Sequence, residues 1–155
     1  MLIRLFQPND LEALHNLTME AFDGVSIDRN IEERFGIIHG HDWRWRKARQ
    51  IDDDVACSTG AAFVAEESGK VMGYVTTRVD KEAGIGHIAN LAVSAEARGQ
   101  GLGRRLIQHA VDFFRAQGLS HAKIETLDQN AIGQHLYPSC GFREVARQIH
   151  YVMQL

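Results

Sequence analysis

The stretch Arg98-Gly99-Gln100-Gly101-Leu102-Gly103 lies between an apolar run, Ile88 to Val93, and a long helical pattern that starts near Leu102. This order predicts a strand, a glycine-rich turn and a helix. Glycine lets the backbone turn sharply with consecutive N–H groups pointing inward, and the helix adds its unsatisfied first-turn N–H groups and the positive end of its dipole. The stretch therefore predicts a cradle for a diphosphate, to which Arg98 adds a charge-assisted contact.

The glycine spacing excludes two common phosphate-binding loops. The third glycine comes one residue too early for the dinucleotide motif G-x-G-x-x-G, and no Lys-Ser or Lys-Thr pair follows as in a P-loop. A nucleotide-binding module is therefore disfavoured. Taken alone, the stretch is also compatible with a glycine-rich surface turn, because single glycine motifs have low specificity.

A second block follows further along the chain, with Asn130, Gly133, Tyr137, Gly141 and Phe142. Together the two blocks resemble the GNAT superfamily of acyl-CoA-dependent N-acyltransferases. The first is similar to the family's Arg/Gln-x-x-Gly-x-Gly/Ala pyrophosphate loop. The second is similar to its Asn-x-x-Ala-x-x-x-Tyr-x-x-x-Gly-Phe segment, with Gly133 where alanine is usual. The resemblance extends from about His87 to the C-terminus.

Length and composition favour one ordinary globular domain over residues 1–155, with 45% hydrophobic and 24% charged residues. The net charge of −3 argues against a nucleic-acid partner. Cys57 and Cys140 are far apart and form neither a disulfide framework nor a zinc motif, which favours a reducing, cytoplasmic setting. We find neither a signal peptide nor an apolar run of about 18 residues, so no membrane span is expected.

The hydrophobic periodicity predicts an α/β fold. Strands 61–66, 71–79 and 87–93 form an antiparallel meander, and residues 87–127 form one β-α-β crossover that ends with a strand over 122–127. A third helical segment is expected over 43–51, and Asp52, Asp53 and Asp54 are expected in a loop after it. With further strands at 2–6, 142–145 and 149–155, we expect a mixed, mostly antiparallel sheet of about seven strands flanked by about four helices. The GNAT resemblance implies that the fourth and fifth strands splay apart and that the pantetheine arm of the cofactor lies in the gap.

The resemblance implies acetyl-CoA as cosubstrate. It assigns the pyrophosphate to the loop backbone and to the side chain of Arg98. Arg104, in the first turn of the helix, either adds positive charge to this site or faces solvent. It assigns the pantetheine amides to the main chain of the 87–93 strand, where a bulge near Leu91 or Ala92 exposes an N–H group to the thioester carbonyl. Asn130 is assigned to the same arm, to the start of a helix, or to both. The residues assigned to the cofactor are Leu91, Ala92, Val93, Arg98, Gly99, Gln100, Gly101, Leu102, Gly103, Arg104 and Asn130.

Two side chains are the candidate catalytic residues. Tyr137 is similar in position to the family's general acid, and a phenol with an ordinary pKa near ~10 keeps its proton at neutral pH. His87 begins the strand that precedes the glycine loop, where some GNAT enzymes place a base, and imidazole ionises near neutral pH. The alternative, in which water and backbone groups suffice without a base, stays open.

The expected reaction is transfer of the acetyl group of acetyl-CoA to a primary amine by direct attack in a ternary complex, since Cys140 lacks a paired base. No metal is expected, because the His39–Asp42 segment has no third ligand. Residues 24–59, with Trp43, Trp45 and several acids, are expected to select the amine. The acceptor (a metabolite, polyamine, antibiotic or protein amine), the acyl length and a possible homodimer stay open, as does a CoA-binding sensor or interaction domain without turnover.

Overall fold

The structure, a computed structural model, describes all residues from Met1 to Leu155. One five-stranded sheet has the order β1-β2-β3-β4-β5. Neighbours are antiparallel from β1 to β4, whereas β5 runs parallel to β4, so the predicted meander and crossover are confirmed. The strands are β1 Leu2–Leu5, β2 Ala62–Glu67, β3 Lys70–Asp80, β4 Ile85–Val93 and β5 His121–Ile124.

Five α-helices accompany the sheet, one more than expected. Short 3₁₀ turns span Pro8–Asp10 and Ala95–Ala97. The third helix was predicted to end near Ile51, with the following acids in a loop, but it continues to Ala56 because Asp54 also lies on its buried face. The helices are α1 Leu11–Ala21, α2 Ile27–Phe35, α3 Trp43–Ala56, α4 Leu102–Ala116 and α5 Ala131–Ser139.

The sheet has a hydrophobic core on each face. The crossover helix α4 buries Leu106, Ala110 and Phe114 against one face, where Gly86 permits close approach: a Cβ there would lie 2.4 Å from the Phe114 ring. Helices α1 and α3 cover the other face with the core residues Leu14, Leu17, Ile51, Val64, Tyr74 and Ala92. The sheet thus lies between two helical layers.

Strand β4 contains one extra residue. Its register with β3 pairs Ile88 with Thr77 and Asn90 with Thr76, so Ala89 has no partner and forms a bulge. Ile88 and Leu91 consequently pack in the same core on the α4 side of the sheet. In a regular strand, two residues three positions apart would point to opposite faces. Asn90 faces the α1–α3 side, where its side chain contacts α3.

The parallel pairing of β4 and β5 is short. It runs from Ile85 opposite His121 to Ile88 opposite Ile124, and β4 then continues alone to Val93. The β5 strand ends at Ile124, earlier than the predicted Leu127. Beyond the bulge, no strand of the sheet lies beside the β5-facing edge of β4.

The prediction of seven strands is wrong at the C-terminal end. Neither 142–145 nor 149–155 forms a strand, and the last backbone hydrogen bond of the chain runs from the Phe142 N–H to Tyr137. A strand requires backbone hydrogen bonds to a neighbouring strand, and residues 143–155 make none, although the outer edge of β5 has no strand beside it. Val145 and Leu155 are consequently almost fully exposed.

None of the helices combines the length and the apolar character that crossing a bilayer requires.

Candidate active site

The glycine loop before α4 has the backbone geometry of an anion cradle. Gly99 and Gly101 have φ angles of 74° and 77°, in the left-handed region that glycine adopts without steric cost. No backbone or side-chain acceptor of the protein takes a hydrogen bond from the N–H groups of residues 99–104. These N–H groups lie at the positive end of a fifteen-residue helix, which is the arrangement that binds phosphate groups.

The two arginines of the loop region have different surroundings. Arg98 is about half exposed and lies 3.8 Å from Glu20, a loose ion pair that leaves its guanidinium free to turn. Arg104 instead donates hydrogen bonds of 2.7 and 2.8 Å to the carbonyl and hydroxyl oxygens of Ser139. Its guanidinium therefore joins the start of α4 to the end of α5.

The β4 segment assigned to the pantetheine arm is paired on one edge only. Leu91, Ala92 and Val93 lie opposite residues 75, 74 and 73 of β3, and no strand lies along their other edge. The bulge lies at Ala89, slightly before the position expected near Leu91 or Ala92. The open edge of β4 therefore leads from the bulge towards the glycine loop.

Asn130 caps α5. Its side-chain oxygen accepts a hydrogen bond from the Gly133 N–H at 3.1 Å, and its amide donates to the Thr126 hydroxyl at 2.8 Å. A Cβ at Gly133 would lie 2.9 Å from both of those side chains and 3.1 Å from the Tyr137 ring. This crowding explains why glycine replaces the alanine that is usual in the motif.

Tyr137 has a free hydroxyl group and a strongly held proton. The hydroxyl makes no hydrogen bond to any protein group. Burial raises the pKa of Tyr137 to about 12, and electrostatic interactions with Cys140 and Glu125 contribute to the same shift. The phenol is therefore protonated throughout the neutral range and is able to donate.

His87 faces a carboxylate that the sequence analysis missed. Its Nε2 lies 2.8 Å from Glu125 Oε1, but this buried nitrogen has no well-aligned hydrogen bond, so we treat the pair as electrostatic. The interaction with His87 lowers the pKa of Glu125, and nearby Lys123 adds to the effect. The sequence signal that could have identified Glu125 is its position at the carboxyl end of a parallel strand, where α/β sheets bind their ligands.

A buried polar network on the α3 side holds the bulged part of β4. The Asp54 carboxylate accepts hydrogen bonds from Thr76 at 2.6 Å, Asn90 at 2.7 Å and Arg78 at 2.7 Å. Lys47 Nζ donates to the Asn90 side chain at 2.8 Å. Sequence reasoning placed Asp54 in a loop and did not find this network.

Most of the residues expected to select the amine are buried or make contacts with other residues of the protein. Trp43 is buried, and the Trp45 ring stacks on His41 with centroids 3.5 Å apart. Asp28 accepts hydrogen bonds from Arg46 and Gln50. No cluster of three His, Cys, Asp or Glu residues has the geometry to hold a metal ion, and both cysteines are unpaired.

Three known proteins show what the chain is similar to. It is 38% identical over 82 residues to an IAA acetyltransferase of Azospirillum brasilense, a match covering 53% of this chain and 54% of that protein. The chain thus matches about half the length of this curated relative.

The fold is similar to that of the ribosomal-protein-S18-alanine N-acetyltransferase of Escherichia coli, with a TM-score of 0.70, 23% identity, and 94% and 79% of the two chains covered. An aminoglycoside N-acetyltransferase solved in complex with CoA has a TM-score of 0.68, 17% identity and 99% of each chain covered. These likenesses establish the fold. Residues 11–142 match the acetyltransferase (GNAT) family, and the chain belongs to that family.

Proposed function

We propose that this protein transfers the acetyl group of acetyl-CoA to a primary amine by direct attack within a ternary complex. The observation that carries the proposal is the row of unpartnered N–H groups at residues 99–104, at the start of α4. The open edge of β4 leads from it to the bulge. Tyr137 and the His87–Glu125 pair complete the set of groups that acyl transfer to an amine requires.

The chain's residues fit coenzyme A. The loop amides and the free Arg98 guanidinium suit its diphosphate, and the main chain of β4 beyond Ala89 suits its amide-bearing arm. Asn130, at the start of α5, is the proposed side-chain partner of the same arm. A protein of the same fold has been solved with CoA bound. The thioester supplies an activated acetyl group and a thiol leaving group.

The His87–Glu125 pair is the proposed base. An alkylamine with an ordinary pKa near ~10.4 arrives mostly as ammonium, so a proton must be removed before its nitrogen attacks the carbonyl carbon. The ionised Glu125 carboxylate attracts the ammonium group and, with His87, accepts that proton. A bond forms between nitrogen and the carbonyl carbon, and the carbon–sulfur bond breaks. The nitrogen then loses its second proton to solvent to give the neutral amide, and solvent returns a proton to the Tyr137 oxygen.

Tyr137 is the proposed general acid. Its hydroxyl proton passes to the sulfur that departs from the carbonyl carbon, so that CoA leaves as the thiol. The high pKa of Tyr137 keeps this proton on the hydroxyl group at neutral pH.

Cys140 has no paired base, which favours direct transfer of the acetyl group over formation of an acyl-enzyme. Since both cysteines are unpaired, we place the reaction in a reducing compartment, the cytoplasm.

The test is release of free thiol from acetyl-CoA across a panel of primary amines, with CoA binding measured by calorimetry on the same preparation. We expect thiol release that depends on at least one amine. If the protein binds CoA to saturation but acetylates no member of a broad panel, the chain is a binding module rather than an enzyme.

A further inference from the structure

A cavity of about 300 Å³ lies at the start of β4, the end of the strand away from the glycine loop. Its volume suits an amino-acid-sized molecule and is too small for coenzyme A. His87, one member of the proposed base pair, forms part of its wall. The lining residues are Thr59, Arg78, Val79, Asp80, Ala83, Ile85, His87 and Lys123.

The strand register places three basic side chains side by side in this wall. Arg78 of β3 lies directly opposite His87 of β4, and His87 lies directly opposite Lys123 of β5. Neighbouring strands are about 4.8 Å apart, so the backbones that carry the two outer cations flank the backbone of His87 at about that spacing on either side. All three belong to the face of the sheet opposite α4, since Gly86 and Ile88 face that helix.

The charges in the cavity are unevenly neutralised. Arg78 donates one hydrogen bond to Asp54 and is still about half exposed, so most of its donors are free. Asp80 accepts a hydrogen bond from the Ala83 N–H. Lys123 is exposed and has no acidic side chain within ion-pair distance. The cavity therefore presents the unpaired Lys123 ammonium group and the free N–H donors of Arg78, with the Asp80 carboxylate in the same wall and Glu125 beside His87.

We infer that the acceptor is a small primary amine that also carries a carboxylate, such as an amino acid. Its ammonium group lies against the His87–Glu125 pair, and its carboxylate lies between Lys123 and the free side of Arg78. This division matches each charge of the substrate with its opposite. The inference rests on the proposed acetyl transfer and names the substrate class of that same site.

The experiment compares matched pairs of acceptors: L-alanine with L-alaninamide, β-alanine with β-alaninamide, and 4-aminobutyrate with its amide. The readout is the ratio of kcat/KM for the acid to kcat/KM for the amide, in the wild type and in Lys123→Met. Intrinsic differences in amine reactivity cancel when the ratio is compared between proteins. Arg115→Gln on the outer side of α4 is the matched control, because it removes one positive charge from an exposed position.

We expect the wild type to prefer the acid, and Lys123→Met to reduce the ratio about tenfold, the effect of losing one charge-assisted hydrogen bond. Lys123→Glu should invert the preference, and Arg115→Gln should leave it unchanged. Equal acid-to-amide ratios in wild type and Lys123→Met would overturn this inference while acetyl transfer itself stands. So would turnover of other amines with none of the acids. Failure to acetylate any amine despite CoA binding would instead reject the proposed function.

Discussion

Lys47 is a charged side chain in the protein interior, and its surroundings make stability depend on pH. Burial lowers the pKa of Lys47 from 10.5 to about 8, although Asp28 and Asp54 act in the opposite direction. Between these values the unfolded chain holds a proton that the folded chain has released, so folding becomes more favourable as pH rises. Below pH 8 the buried charge costs the fold up to about 3 kcal/mol.

We therefore expect the free energy of unfolding of the wild type to rise between pH 8 and 10 relative to Lys47→Met. Urea unfolding of both proteins at several pH values measures this difference. Buried Tyr74, whose pKa is raised, is present in both proteins, so its effect cancels. A difference that stays flat across this range would show that Lys47 titrates normally.

We predict that Tyr137 contributes to catalysis by donating its hydroxyl proton and does not contribute to the binding of acetyl-CoA. Tyr137→Phe should lower kcat about 10²- to 10⁴-fold, the usual range for loss of a general acid, with little change in the KM for acetyl-CoA. Because the pKa of Tyr137 is about 12, no fall in rate below about pH 11 should come from its ionisation. Tyr151→Phe, on the exposed tail, is the control. Equal turnover in wild type and Tyr137→Phe would remove Tyr137 from the mechanism.

Sequence patterns single out residues whose position in a motif carries the signal. Tyr137, Asn130 and the glycine loop are proposed as site residues from the spacing of their motifs. Glu125 was missed because its role depends on where β5 ends and on the side chain it faces. Asp54 was missed because three consecutive acids are typical of a solvated loop, whereas the third of them is buried under the sheet.

Among the elements, the turn before α4 makes a prediction about cofactor affinity. Gly101 has a φ of 77°, and a Cβ there would meet no atom within 4 Å, so the penalty for a side chain comes from backbone conformation and from blocking the close approach of phosphates. Gly101→Val should raise the KM for acetyl-CoA about tenfold or more, equivalent to a strain of 1–2 kcal/mol.

Gly101→Asn is the matched variant, because asparagine tolerates the left-handed region far better than a β-branched residue. We expect it to retain more of the affinity than the valine variant. Thermal unfolding establishes that both variants fold. An unchanged KM for acetyl-CoA in folded Gly101→Val would refute the role of this turn.

Elements with strong periodicity were predicted best. The apolar stripe of α4 and the alternation of the central strands matched the observed helix and meander closely. The sequence did not give the position of the bulge at Ala89, because one unpaired residue does not change the pattern of an apolar run. The exact length of β5 also lies beyond pattern analysis, since the strand ends where pairing with β4 stops.

For the molecule as a whole, residues 142–155 lie outside the sheet and carry apolar side chains into solvent. Tyr151 is 88% exposed and Met153 is 76% exposed. The outer edge of β5 also has no strand beside it. Exposed apolar segments and open strand edges favour pairing with another chain. We therefore predict a homodimer in which this segment covers the edge of a second copy.

Size-exclusion chromatography with light scattering measures the mass across a dilution series. We expect a dimer for the wild type and weaker association for Tyr151→Lys, because a charge there opposes burial of the segment. Ile37→Lys, at an exposed apolar loop position elsewhere, is the control. A monomer at every concentration tested would contradict the prediction.

The overall architecture was predictable up to Phe142 and not beyond it. Element order and the single crossover follow from periodicity and from the handedness of such connections. The terminal segment shows strand-like alternation, but alternation reports only the propensity of a segment. Whether a strand forms depends on pairing with a second strand, and residues 143–155 make no backbone hydrogen bond to the open edge of β5.

The extra residue at Ala89 divides β4 into two parts that can be altered independently. Residues before it, such as His87, belong to the wall of the small cavity, whereas those after it lead to the glycine loop. Replacing cavity side chains on β3 and β5, such as Arg78 and Lys123, while keeping His87 should therefore change which amines are acetylated without weakening the affinity for acetyl-CoA.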